Sequence, residues 1–400
     1  MLGTTTRTRV LRTAALAPSA RNTQPWVPRF TADGTAIDLG VDASRTLPVS
    51  DPDHRDLHLG LGAWIESCAI GLAAERLRPE ITAVTGSGAD LLVRLDIRDT
   101  GVRRHPFTPH DLHHRQVDRG PLAPDERRLS AALEDWEEDL AALGAKPSSP
   151  LDLGVTLVPE PLWARASGAA TSAEPAEAPV PSPASSNGPV VPDDPAGAAL
   201  AETLDWLRLD PSDPAYSEDG LTAECLRIPP LVARRLAPLL ASARDSRDIR
   251  TGLAEVLGPV RSATGRLGAA LRARTARGVD PRAWSKVESL RDPRSTRNHR
   301  AIPHRLVFHS PAPEAPLDPA TQLQYGRALL RLWLRLSRED VRVHPDSGIT
   351  RAPAAAALLA RHVRVRTGQE RTPLLAFSAG RTVSQAVPRA PRRRVPAQED

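Results

Sequence analysis

Apolar positions recur along this chain with two periods, and the two alternate. After Trp26 the stretch VPRFTADGTAIDLGV reads as two strands joined at Asp33-Gly34, a dipeptide suited to the positive φ of a tight hairpin. Leu57, Leu61, Trp64, Cys68 and Leu72 then recur at helical spacing, which predicts one buried helical face. Asp51 is placed to cap that helix, with Pro52 at its first position. Gly60 and Gly62 lie inside it, where a glycine costs about 1 kcal/mol against alanine, so something must pack very close to its backbone. Residues 5–16 and ERRLSAALEDWEEDLAAL (126–143) predict helices, and ADLLVRLDI (89–97) a strand. In the second half HRLVFHS (304–310), VRVHP and PLLAFSAG predict strands, and LQYGRALLRLWLRLSRE (323–339) a helix. Strands alternating with helices in both halves predict an α+β or α/β layered fold and exclude a bundle.

Two stretches interrupt this pattern. Residues 165–198 have no aromatic and almost no bulky aliphatic side chain, so they predict a disordered insertion that cannot offset its ordering entropy. Residues 231–277 predict one or two helices rich in Arg, Ala and Leu, followed by a polar, proline-punctuated loop over 278–303. Forty prolines in 400 residues fit such interruptions, while a 40% apolar fraction still supports a core. No window approaches eighteen apolar residues, and Arg12 breaks the apolar run near the start, so neither a membrane span nor a signal segment is expected. Cys68 and Cys225 cannot make a disulfide framework, and a reducing cytoplasm is the expected compartment.

The net charge of +5 invites a nucleic-acid reading. Yet every basic residue is arginine except Lys146 and Lys286, and the arginines are mixed with acids almost everywhere. No basic stripe with interleaved aromatics forms, so a solvated surface is expected and nucleic acid is not. Phosphate-loop, HExxH and GxSxG signatures are missing from the sequence. His105, His110, His113 and His114 fall close together, but in a proline-rich segment expected to be an exposed loop without acid or thiol ligands, so no metal site is expected.

The informative stretch is APSARNTQPW, residues 17–26. It predicts a short turn between a helix and the first strand, presenting the hydroxyl of Ser19 and the carboxamides of Asn22 and Gln24. A carboxamide both donates and accepts, which suits the edge of a neutral heteroaromatic ring. From local physics alone it reads more readily as a helix end with a proline-anchored turn, and Trp26 as core.

This stretch closely resembles the APS-x-x-N-x-QPW motif of the FMN-dependent nitroreductase superfamily. DPDHRDLHLGLGAWIESCAIGLAAERLRP resembles the long central helix that follows it there, and LDWLRLDPSDPAYSEDGLT a W-x-R…DGL segment of an actinobacterial branch. YGRALLRLWLRL and PLLAFSAGR resemble the closing helix and strand. The resemblance implies an α+β fold with a central mixed or antiparallel sheet flanked by helices, and FMN held where two subunit-like units meet. Family members usually carry an arginine-rich phosphate motif well before the turn; here a degenerate version, Arg115-Gln116-Val117-Asp118-Arg119, follows it.

The expectation is therefore a fused tandem: a truncated first repeat over 1–110 and a second over 111–400, making one chain a pseudo-dimer and a monomer. Ser19, Asn22 and Gln24 would address the ring. Arg115 and Arg119 would hold the phosphate, with Arg381 and Arg392 as secondary candidates, since arginine forks match phosphate oxygens. Val117 replaces the usual Ser/Thr, which removes one phosphate hydroxyl. The implied activity is NAD(P)H-dependent two-electron reduction of a small nitroaromatic, quinone or similar acceptor by a ping-pong route. The alternative is an FMN storage protein with little turnover, closed by a lid over 231–300.

Overall fold

Helices and antiparallel strands are mixed in an α+β arrangement in the computed structural model, which describes residues 2–47, 51–102, 105–118, 122–134, 136–143, 151–172, 302–313, 317–351, 353–383 and 392. The chain divides into two compact units. One is Met1–Gly154 with Ser310–His344 and Ala379–Asp400; the other is Val155–His309 with Pro345–Ser378.

In the first unit, α1 (Thr4–Ala14) leads through a 3-10 turn (Ala20–Asn22) into β1 (Trp26–Phe30) and β2 (Ala36–Val41). These strands pair antiparallel, Trp26 opposite Val41 and Phe30 opposite Ile37. Of the expected hairpin pair, Gly34 alone is left-handed, at φ 67°, so the loop spans five residues instead of two. Thr31 and Thr35 donate to the Asp33 carboxylate at 2.6 and 2.8 Å, holding its pKa at about 2. Then come α2 (Arg55–Ala73), β3 (Leu77–Thr85) and β4 (Leu92–Asp99), and the sheet order is β1-β2-β4-β3 with every neighbouring pair antiparallel.

The expected start of α2 shifts. Its first residue is Arg55, so Pro52 lies outside, while the Asp51 carboxylate reaches forward to the N–H groups of Asp56 (3.1 Å) and Leu57 (2.8 Å). The single buried face expected of it is also too narrow, since every residue from Leu57 to Ala73 is buried. A helix enclosed on all sides needs small or apolar residues all round, and Gly60, Gly62, Ala63, Ser67, Ala69 and Gly71 supply the remaining faces.

Next come α3 (Pro109–His114), β5 (Leu122–Ala123), α4 (Glu126–Glu134) and α5 (Trp136–Leu143), the last two covering the stretch expected to be helical over 126–143. The histidine-rich stretch is not the expected loop. Thr108 and Asp111 form a capping box, Pro109 occupies the first turn, and Arg338 clamps Asp111 at 2.8–2.9 Å. Burial would raise the Asp111 pKa, but Arg338 and Thr108 outweigh it and hold it at about 2.

The remaining elements are β6 (Gly154–Leu157), α6 (Glu160–Ser172), β7 (His304–Pro311), α7 (Pro319–Arg338), β8 (Arg342–Pro345), α8 (Ser347–Arg351), α9 (Pro353–Thr367) and β9 (Arg371–Thr382). The strands thus divide between two sheets instead of one central sheet. The second runs β5-β9-β7-β6, with β8 also pairing with β9. Read as β6-β7-β9-β8, it repeats the strand order of the first sheet.

The core of the second unit gathers Val158, Trp163, Ala166, Val307, Leu359, Val363 and Ala376. Arg305 lies over the Trp163 ring at 4.9 Å and donates to Glu160 at 3.0 Å. Because Trp163 and Ala166 pack into this core, α6 continues to Ser172, and the disorder expected from 165 does not begin there. Residues 173–198 and the helices and lid expected over 231–300 lie outside the described residues.

The close approach that the α2 glycines predict occurs against α7. A Cβ on Gly62 would stand 2.1 Å from the Leu323 carbonyl oxygen, and one on Gly326 would stand 2.1 Å from that of Leu59. The contact is reciprocal: Leu59 and Leu323, and Gly62 and Gly326, are separated by the same 264 positions as the hydrogen-bonded pair His58 and Gln322. A Cβ on Gly60 would make ordinary contacts instead, 3.7 Å from Pro18 O and the Ser19 Cα.

Further along the same pair of helices, Glu66 is fully buried. Arg327 donates to it at 2.9 Å, Arg331 donates to its other oxygen, and His105 bonds it at 3.0 Å. Arg335 continues this row of α7 to Asp139 at 2.7 Å. Burial pushes the Glu66 pKa up, but Arg331, Arg327 and His105 overcome it and leave it well below the ordinary value.

Candidate functional site

The 17–26 turn is built by its own polar side chains. Ser19 Oγ accepts from Gln24 N at 2.9 Å, and Thr23 Oγ1 donates to Ala20 O at 3.0 Å. Gln24 Nε2 donates to Asn22 O at 3.3 Å, and Arg45 Nη1 to Thr23 O at 3.1 Å. Asn22 and Gln24 both have left-handed backbones, at φ 57° and 51°. Each such residue costs about 1–3 kcal/mol and persists where its surroundings over-determine it, which is a reason to look for function there. Both side chains are 5% exposed, and Trp26 belongs to the hydrophobic core.

Two of the arginines expected to bind phosphate arrive from far along the sequence, Arg392 at this turn and Arg115 at Leu16 just before it. Arg115 is only 2% exposed. Its Nη2 donates to Leu16 O at 3.4 Å, and its guanidinium lies 5.7 Å from the centre of the Trp333 ring. Arg392 Nη1 donates to Asn22 Oδ1. Arg381 sits on β9 beside β5 instead, 52% exposed and paired with Asp125 at 3.2 Å. Arg119 lies outside the described residues. Val117 forms a parallel bridge with Val343, so its backbone serves packing between segments.

Arg45 and Trp333 join the site without having been singled out in the sequence. Arg45 is buried beside Asp42, which lies 3.7 Å away, and nothing in its local sequence distinguishes it from other arginines. Trp333 had a signal, as the one tryptophan in the Leu/Arg-rich second half of α7. The buried charges offered one as well: Glu66 interrupts an apolar helix, while Arg327, Arg331 and Arg335 recur every fourth residue.

The set combines guanidinium groups, carboxamides and a tight backbone turn. Guanidinium groups pair with anions, and carboxamides both donate and accept. Among the described residues, no group of three or more His, Cys, Asp or Glu side chains is placed to hold a metal ion. His105 is taken up by Glu66, and His110 and His114 stack with ring centres 6.2 Å apart. No described helix is long and apolar enough to cross a membrane.

No family model matches this sequence, and no curated protein matches it either.

Proposed function

We propose that this protein is an FMN-binding oxidoreductase of nitroreductase-like fold, in which two fused repeats make a single-chain counterpart of a homodimer. The observation that carries the cofactor reading is Arg392 on Asn22 Oδ1, with Arg115 buried on Leu16 O just before the same turn. The repeat reading draws support from the matched strand orders and from the reciprocal α2–α7 contact. In a two-fold interface residue i meets j wherever j meets i, as Gly62 and Leu323 do in relation to Gly326 and Leu59.

In this reading Arg115 and Arg392 bind the phosphate, and Asn22 and Gln24 meet the polar edge of the ring. Gly60 of α2 lies beside Pro18 and Ser19, next to the turn. Bound FMN would carry two electrons from NAD(P)H to a small acceptor such as a nitroaromatic or a quinone. The protein's share is to place the ring, neutralise the phosphate and exclude water.

Removal of Arg115 tests this. Hydrogen bonds to charged groups contribute about 1.5–3 kcal/mol, so Arg115→Ala is expected to weaken FMN binding about 10- to 100-fold by equilibrium titration. Thermal stability should fall only modestly, since contact with Trp333 and Leu16 is lost as well. Unchanged FMN affinity in a folded Arg115→Ala protein would remove this residue from the site. Loss of affinity in Arg392→Ala as well would place both arginines on the same ligand.

A further inference from the structure

At the α2–α7 junction four groups form a directed hydrogen-bond chain. Gly88 N–H approaches His58 Nε2 at 3.4 Å, His58 Nδ1 lies 2.8 Å from Gln322 Oε1, and Gln322 Nε2 donates to Leu317 O at 2.9 Å. Both ends are backbone groups with fixed roles. The Gly88 N–H can only donate and the Leu317 carbonyl can only accept, so the chain runs one way. Gln322 must turn its oxygen to His58, His58 must carry its hydrogen on Nδ1, and Nε2 must keep its lone pair for Gly88.

From this we infer that His58 is a proton-sensitive clasp: neutral, it ties the 88–90 turn, α2 and the start of α7 together, and on protonation it releases the turn. A proton on Nε2 would set one N–H against another, and the chain cannot reverse, because the Leu317 carbonyl has no hydrogen to give. The inference is independent of the FMN reading.

Several features make the clasp tight. His58 is 3% exposed, so a charged ring has no water to turn to. Gly88 is buried at φ 57°, and the space of its missing side chain is filled by His54 Cδ2 at 2.5 Å. The two histidine rings lie 6.4 Å apart. At the ends of the elements that meet here, the charged groups are Asp51, Asp53, Arg55 and Asp56 before and within the first turn of α2, Asp90 in the turn, and Asp318 at the head of α7; Glu66 and the α7 arginines lie further along the two helices.

Burial lowers the His58 pKa below 6.5, and the nearby His54 lowers it further, while Gln322 and Asp53 pull it up. The sign follows. An unfolded histidine takes up a proton near 6.5 and the folded one resists it, so stability is full above that pH and falls as the pH drops below it.

The test is ¹⁵N NMR of the imidazoles in the full chain, with hydrogen exchange of the Gly88 amide followed from about pH 7.5 to about pH 5. The expected result is an Nδ1–H tautomer for His58 at the upper pH. The Gly88 protection factor should fall by about tenfold or more at the lower one, as the turn opens locally. In His58→Gln, which cannot titrate, protection should not depend on pH over this range. An Nε2–H tautomer, unchanged protection in the wild type, or a pH dependence that persists in His58→Gln would each overturn the inference. Should His58→Gln fail to fold, the wild type alone decides. The His58 ring shift and Gly88 protection must then change with one midpoint, and separate midpoints would overturn it.

Discussion

Gly62→Ala is expected to destabilise the protein by about 3 kcal/mol or more, because the new methyl group meets backbone that cannot step aside. In an open helix the same substitution would gain about 1 kcal/mol from propensity. Here the added Cβ lies 2.1 Å from the Leu323 carbonyl oxygen and 2.9 Å from the Gly326 Cα, so α2 and α7 must separate. Separation loosens the packing of Leu323, Leu330 and Leu334 against the core that α2 shares. Gly326→Ala should cost a similar amount, since its Cβ would meet Leu59 O at the same distance. Gly60→Ala is the control: its nearest neighbours stand at 3.7 Å, so its effect should stay within about 1 kcal/mol. Urea midpoints of the three variants check this. A Gly62→Ala protein as stable as the wild type would contradict the close crossing of the two helices.

The second large effect is at Glu66. Glu66→Ala should cost about 3–5 kcal/mol, the range for removing one partner of a buried ion pair and leaving its charges uncompensated. Arg331 is itself buried, so its guanidinium cannot turn to water in place, while Arg327 is part-exposed. The interaction is coupled: in a double-mutant cycle of Glu66→Gln and Arg331→Met, the two losses should fail to add by about 1 kcal/mol or more. Strict additivity would mean that the charges do not stabilise one another. The pH dependence has a definite sign too. The folded pKa of Glu66 lies well below its ordinary 4.5, so its contribution is full above that value and is lost as the pH falls through the folded pKa.

Much of the local structure was legible because it rests on local chemistry. The Gly34 reversal, the Asp51 cap and the strands either side of α7 follow from residues within a few positions of one another. The glycines of α2 carried a longer-range message, since a costly residue inside a helix implies a close neighbour. They did not say which glycine or which neighbour, because that depends on the crossing point with a helix more than 250 positions away. The burial of α2 on every side was hidden for the same reason: small residues between the leucines suit either solvent or a second packed surface. α9 went unread because its buried positions, Ala355, Leu359 and Val363, stand among alanines and arginines that give weak contrast. The turn itself was found by its motif, but the arrival of Arg115 and Arg392 and the burial of Arg45 are tertiary facts with no local signature.

The most direct measurement of the central claim is the visible spectrum of the purified full chain titrated with FMN, followed by NAD(P)H without oxygen. One FMN should bind per chain, with a perturbed flavin spectrum that bleaches when the nicotinamide is added. Bound flavin that stays oxidised would keep the binding site and refute the reductase, leaving storage as its role. A protein that leaves added FMN unbound would contradict the account at its centre.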